Sequence, residues 1–232
     1  MASKKSAQKF ENASQLIQRA VELRYFSEKS PAIPYHWVRG SNPLIVIVGD
    51  NAGGKSFVRR IFNALCQKNH IEFMGISMEG RQGVSMAPWL ALVYGDESYQ
   101  STGQLSVSTV LGGIKTCTSR CEERKPHVIF WDEPDLGLSE SWAAGVGVAI
   151  RDLTQQVTSS TRAICVVTHS RPLVRELLPV NPHYLHVGSD KAPATLKEWL
   201  TRKVRPRKIE TLGKLSHQRF TKIRKILKEC DS

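Results

Sequence analysis

Gly49-Asp50-Asn51-Ala52-Gly53-Gly54-Lys55-Ser56 follows the apolar run Leu44-Ile45-Val46-Ile47-Val48 and precedes a helix-forming stretch that reaches about Gln67. The octet fits the pattern GxxxxGKS/T in the strand, loop and helix setting that gives the pattern its mechanism. Glycines let the backbone curl so that its N–H groups surround phosphate oxygens at the positive end of the following helix. Lys55 is placed to reach the β and γ phosphates of a nucleotide. Ser56 offers Mg²⁺ a hard oxygen, and that ion is commonly shared with phosphate. The expected nucleotide contacts are therefore Gly49, Asp50, Asn51, Ala52, Gly53, Gly54, Lys55, Ser56 and, at the edge of the loop, Phe57.

Further along, Val128-Ile129-Phe130-Trp131-Asp132-Glu133-Pro134 is an apolar strand that ends in two acids. Burying both without a cation or partner is expensive. At the carboxyl end of a strand beside a phosphate loop, Asp132 is placed to orient a magnesium shell and Glu133 to polarise an attacking water. The plainer alternative is an acidic cap on the next helix. A further strand, Ala163 to Thr168, ends in Thr168-His169-Ser170. His169 either contacts the γ-phosphate or holds the attacking water, or it is a satisfied structural histidine.

Strands alternate with helices along the chain: Ile71 to Ser77 is a second strand, Ser106 to Glu123 a helix ended before Pro126, and Ser139 to Gln156 another helix. This order predicts a mostly parallel α/β sheet with both faces covered. Ala7 to Phe26 reads as one amphipathic helix, followed by an irregular connection broken by Pro31, Pro34, Gly40 and Pro43. The expected organisation is a leading segment over residues 1–43, a nucleotide-binding unit over 44–190 and a basic helical tail over 191–232.

Composition narrows the class. The 232 residues are 41% hydrophobic and 23% charged, enough for one substantial core. The apolar runs are strand-length, well short of the ~20 residues needed to span a bilayer. The first ten residues lack the apolar stretch of a secretory signal, so a cytoplasmic setting is expected. Five cysteines form an odd set with no CxxC pair, which suits reduced thiols. Cys117 and Cys121 share a helical face, but neither a His nor a second Cys pair stands at ligand spacing, so they read as free helix cysteines rather than a zinc site.

Together, GDNAGGKS, VIFWDEPDLGLS and VVTHS resemble the ABC-type ATPases, most closely the non-transporter branch with the RecF, SMC and overcoming-lysogenisation-defect nuclease ATPases. The resemblance covers roughly Leu44 to Leu178. It implies ATP and Mg²⁺ as cofactors, with two subunits closing head to tail over two ATP molecules. In such a dimer Ser101 and Gly103, in Ser101-Thr102-Gly103-Gln104, would cap the γ-phosphate held by the partner copy, and Gln82 would sense magnesium and water. Three features depart from the family. The segment after the acids reads Leu136-Gly137-Leu138-Ser139, without the Asp many members carry. There is no room for a coiled-coil arm between Gln82 and Ser101. The region before the phosphate loop lacks the transporter β-subdomain with its adenine-stacking aromatic, a role for which Tyr25, Tyr35 and Trp37 are candidates that also read as core.

From Lys197 onward twelve basic residues face four acidic ones, so +8 of the chain's net +12 lies in the tail. Arg202, Lys203, Arg205, Arg207 and Lys208 are its densest part. They suit phosphate contacts by counterion release to DNA or RNA, or else an acidic protein partner or a solvated face. An effector protein such as a nuclease is a further partner to expect, because no nuclease-type carboxylate cluster is visible. The competing functions are an ATP-dependent dimerisation switch with little hydrolysis, a P-loop kinase and a transporter ATPase.

Overall fold

A computed structural model of the chain describes residues 10–27, 29–77, 101–189 and 191–230. Six strands form one sheet in the order β1-β6-β2-β5-β4-β3. The strands are β1 (Tyr35–Val38), β2 (Leu44–Val48), β3 (Glu72–Ser77), β4 (His127–Asp132), β5 (Thr161–Val167) and β6 (His183–Val187). All neighbours are parallel except β1, which runs antiparallel to β6.

The helices described are α1 (Ala13–Val21), α2 (Arg24–Ser27), α3 (Lys55–Lys68), α4 (Thr102–Glu122), α5 (Glu140–Gln156), α6 (Arg171–Leu177), α7 (Leu196–Thr201) and α8 (Glu210–Cys230). Successive residues of a strand point to opposite faces, and both faces of this sheet are covered. Ile45, Ile47, Val128, Phe130, Cys165 and Val167 pack with Leu16, Ile17 and Phe62 of α1 and α3. Leu44, Val46, Ile129, Trp131, Ile164 and Val166 pack with Val110, Ile150, Leu153 and Leu177 of α4, α5 and α6. That two-sided burial is why β2, β4 and β5 are continuous apolar runs and not alternating ones.

Two sequence expectations need correction. The amphipathic leading segment is not one helix: α1 closes at Val21 and a separate turn of helix, α2, starts at Arg24. The connection between Pro34 and Pro43 is not wholly irregular, because Tyr35–Val38 pairs with His183–Val187 and extends the sheet. Neither β1 nor β6 stood out in the sequence. β1 is only four residues long, and β6 contains two histidines that look polar yet are buried in full.

Register positions the site. Ile47 of β2 and Asp132 of β4 both lie opposite Val167 of β5, so these strands end level. The three segments that leave them, 49–56, 133–139 and 168–170, emerge at one edge of the sheet.

Candidate active site

The phosphate loop is built by backbone conformations that require glycine at defined points. Gly49 has φ 150°, and a Cβ there would overlap the Val187 carbonyl. Gly54, at φ 103°, is the N-cap of α3 and provides no side-chain cap. The N–H groups of the first turn of α3 consequently lack the partner that Ser, Thr or Asp would give at that position. A helix start of this kind, inside a curled loop, fits a phosphate.

Lys55 is buried, at 8% exposure. Its Nζ donates to Gly49 O at 3.1 Å, to Asp50 O at 3.3 Å and to Nε2 of His169 at 2.7 Å. Burial holds its pKa below the ordinary lysine value, and the carboxylates of Glu133, Asp132 and Asp50 oppose that shift. His169 is also held below the ordinary imidazole value, by desolvation first and by the Lys55 cation second. Lys55 Nζ is the donor of this pair and His169 Nε2 the acceptor. Glu133 Oε1 lies 3.7 Å from the same imidazole nitrogen.

Glu133 adopts a left-handed backbone at φ 54°, a conformation costing a non-glycine residue about 1–3 kcal/mol. Its N–H donates to Val167 O at 2.9 Å, which pins the peptide to the end of β5. The neighbouring Asp132 is ion-paired with Arg59 Nη1 of α3 at 3.6 Å. Thr168 ties the segments 133–139 and 168–170 together: its hydroxyl donates to Asp135 Oδ1 at 2.6 Å and accepts from Ser170 N–H at 2.8 Å. Arg59 escaped the sequence reading because no motif contains it, and Asp135 and Thr168 stand inside quoted segments without a role being read for them. The position of Thr168 between a buried strand and His169 was the available signal.

The basic tail lies against this site. Arg207 Nη2 is 2.6 Å from Asp50 Oδ2. Arg219 of α8 donates to the carbonyls of Ala52 and Gly188, the latter at 3.2 Å. A cleft of about 590 Å³ has the phosphate loop, Asp132 and Glu133 on one side and Leu212, Ser216, Arg219, Phe220 and Ile223 of α8 on the other. A second, of about 660 Å³, lies between Gly49, Asp50, His169 and the tail residues Arg202, Lys203, Arg205 and Arg207. Lys208 is exposed and does not line either cleft. The three aromatics considered for adenine are engaged elsewhere. Tyr25 meets Phe57 edge-on at 5.0 Å, Tyr35 meets Phe26 at 5.7 Å, and Trp37 packs on the core.

Ser101 and Gly103 lie apart from these clefts. Ser101 caps α4: its hydroxyl accepts from Gln104 N–H at 3.3 Å, and Gln104 Oε1 accepts from Ser101 N–H at 2.8 Å. Gly103 sits against Gly137 O, which a Cβ would approach to 3.0 Å. Both line a groove with Gly137, Leu138, Ser139 and Trp142. Gln82 falls outside the described residues.

The chain carries a P-loop on a mostly parallel α/β sheet. No protein-family model matches it, and no curated protein does. Among solved structures it is similar to one from the complex of archaeal ribosomal stalk protein aP1 with archaeal ribosome recycling factor aABCE1, at 16% identity and a TM-score of 0.41. That match covers 64% of this chain and 39% of the other. The dimeric bacterial ABC transporter cassette MJ0796 is similar at 10% identity and a TM-score of 0.34, over 60% of this chain and 80% of the cassette. Cdc6p from Pyrobaculum aerophilum is similar at 13% identity and a TM-score of 0.32, over 77% of this chain and 44% of that protein. All three likenesses are remote. No helix among the described residues is long and apolar enough to cross a membrane.

Proposed function

We propose that this chain is a magnesium-dependent ATPase of the ABC type. The observation that carries the proposal is the convergence of Lys55, His169 and Glu133 at the level ends of β2, β5 and β4.

Each residue has a role that its position allows. The uncapped first turn of α3 and the loop backbone bind phosphate oxygens. Lys55 exchanges its contacts to Gly49 O, Asp50 O and His169 for β and γ phosphate oxygens. The Ser56 hydroxyl and the Asp132 carboxylate would hold Mg²⁺, which would neutralise charge on the phosphates. Glu133, with its side chain 41% exposed, accepts a proton from the attacking water. His169, whose Nε2 faces Lys55 Nζ, orients that water or the γ-phosphate. Phe220 gives the cleft between the loop and α8 an aromatic wall for the base.

The remainder of the proposal is a cycle. Two copies close head to tail, each presenting the groove with Ser101 and Gly103 to the other's ATP, and exposed Trp142, at 65% exposure, adds apolar surface to that face. Hydrolysis reopens the pair. The tail transmits the state of the site to DNA or RNA, or to an effector protein, because Arg207 and Arg219 touch the phosphate loop directly. A dimerisation switch with slow turnover is the second reading, favoured by the contact of Glu133 with His169 in place of an open carboxylate.

The test is equilibrium binding of ATP with Mg²⁺ to the intact chain and to Lys55→Ala. Loss of one buried charge-assisted contact predicts affinity weaker by about 100-fold. Equal affinity for the two proteins would remove the phosphate-loop assignment.

A further inference from the structure

At the opposite edge of the sheet from the phosphate loop, three ligating side chains meet in the interior. Cys117 and Cys121 stand four residues apart on one face of α4, and His127 is the first residue of β4. One atom from each lies within 4.8 Å of the other two, and all three residues are buried. The sequence hides this cluster. Its cysteines carry no CxxC spacing, and the histidine arrives only because α4 ends at Glu122 and the chain turns straight into β4.

The imidazole is set up as a ligand. His127 Nδ1 is 2.8 Å from Lys125 O, a carbonyl that can only accept, so Nδ1 carries the proton. The lone pair therefore sits on Nε2, which points at Cys117 Sγ, 3.3 Å away. A histidine fixed through its other nitrogen by a backbone carbonyl is the usual arrangement around a bound metal. Thr161, the first residue of β5, closes the remaining side. Its hydroxyl is 2.9 Å from Nε2, 3.2 Å from Cys121 Sγ and 3.9 Å from Cys117 Sγ. A register irregularity between His127 and Val128 brings His127 opposite Thr161 at this point of the sheet.

We propose that Cys117, Cys121 and His127 hold a zinc ion, with the Thr161 hydroxyl at the fourth position. Two sulfurs and one imidazole nitrogen are the donor set that thiophilic, tetrahedral Zn²⁺ takes. The charges balance. As Zn²⁺ enters, the two thiols release two protons, and a dication with two thiolates and a neutral imidazole leaves the interior without net charge. The ion would fasten the far end of α4 to β4 and β5. The near end of that helix, about 30 Å away by helix geometry, starts at Ser101 and Gly103. The site is thus a structural staple at the end of α4 away from the groove, separate from the nucleotide chemistry.

The test uses the intact chain, purified without chelator. Its zinc content is measured, and the metal is then exchanged for Co²⁺ in the absence of nucleotide and Mg²⁺. One metal per chain is expected. The cobalt form should show thiolate-to-metal charge transfer together with the visible bands of tetrahedral Co²⁺. Cys117→Ser should lose the charge transfer and the stoichiometric metal. Thr161→Val keeps the three strong ligands and should retain both. A wild-type chain that takes up no cobalt, or takes it up without sulfur charge transfer, overturns the site whether or not the cysteine variant folds. An unchanged spectrum in Cys117→Ser overturns it as well. If Thr161→Val abolishes the wild-type signal, the hydroxyl is a required ligand and the assignment of Cys117, Cys121 and His127 as a sufficient ligand set is overturned.

Discussion

Lys55 donates to the imidazole of His169 across 2.7 Å, joining the phosphate loop to the end of β5. The two residues are 114 positions apart in sequence, and nothing but the parallel register brings them together. The contact implies an exchange when a nucleotide arrives, because the ammonium must leave the imidazole for phosphate. His169→Ala frees the lysine from that competition while removing the group proposed to act on the γ-phosphate. Turnover should therefore fall by about 10²-fold or more while ADP affinity changes little. Steady-state phosphate release with parallel ADP titration checks this. Loss of ADP affinity in step with turnover would mark a structural histidine.

Arg219 binds the carbonyls of Ala52 and Gly188. This contact fastens α8 to the phosphate loop. Arg219→Ala should release the helix, so that limited proteolysis cuts the tail sooner and the nucleotide dissociates several-fold faster. Stopped-flow displacement of a fluorescent nucleotide reads the second effect. An unchanged off-rate would separate the tail from the nucleotide cleft.

Replacing Arg202, Lys203, Arg205, Arg207 and Lys208 with Gln should weaken DNA or RNA binding uniformly across sequences. The log–log salt dependence should become shallower by up to about one unit for each lost phosphate contact. Because Arg207 also pairs with Asp50, nucleotide affinity should shift modestly in the same protein. An identical affinity and salt slope would leave an acidic protein as the better partner.

His183 and His186 in β6 are 4% and 2% exposed, and burial pushes both down to about 4. His183 Nδ1 accepts from Gly40 N–H at 3.1 Å, a bond that protonation at that nitrogen would break. A folded pKa below the unfolded value of 6.5 means that the unfolded chain takes up the proton first. Stability from these groups is therefore full above about pH 6.5 and lost as the pH falls toward about 4. The loss should be on the order of 3 kcal/mol per histidine. His183→Asn, which can keep an acceptor toward Gly40, should flatten the acid limb in denaturant titrations. Parallel pH profiles for the two proteins would refute the linkage.

Much of this was legible in the sequence because its signals are local. The strand Leu44–Val48 has the expected bounds, and α3 begins at Lys55 within the pattern that announced it. Asp132, Glu133 and His169 were found because apolar strands end just before them. What was hidden depends on partners distant in the chain. α8 is amphipathic and basic, and those properties do not say which surface it meets. Its placement across the phosphate loop rests on Arg219 and on Ile223 packing against the core. β1 is in the sheet only through its pairing with β6, and His127 joins Cys117 and Cys121 only once α4 has packed on the sheet.

The most direct measurement is single-turnover hydrolysis of ATP with Mg²⁺ by the intact chain and by Glu133→Gln, with bound ATP quantified in the same samples. In the proposed mechanism the carboxylate at position 133 takes the proton of the attacking water, whereas Lys55 and Asp132, the proposed phosphate and metal contacts, are untouched by the substitution. Glu133→Gln should bind ATP as tightly as the parent chain and hydrolyse it at least about 100-fold more slowly. Light scattering of the same samples should show an ATP-bound dimer that the parent chain does not accumulate. Hydrolysis at the parent rate in Glu133→Gln would contradict the assignment of this site.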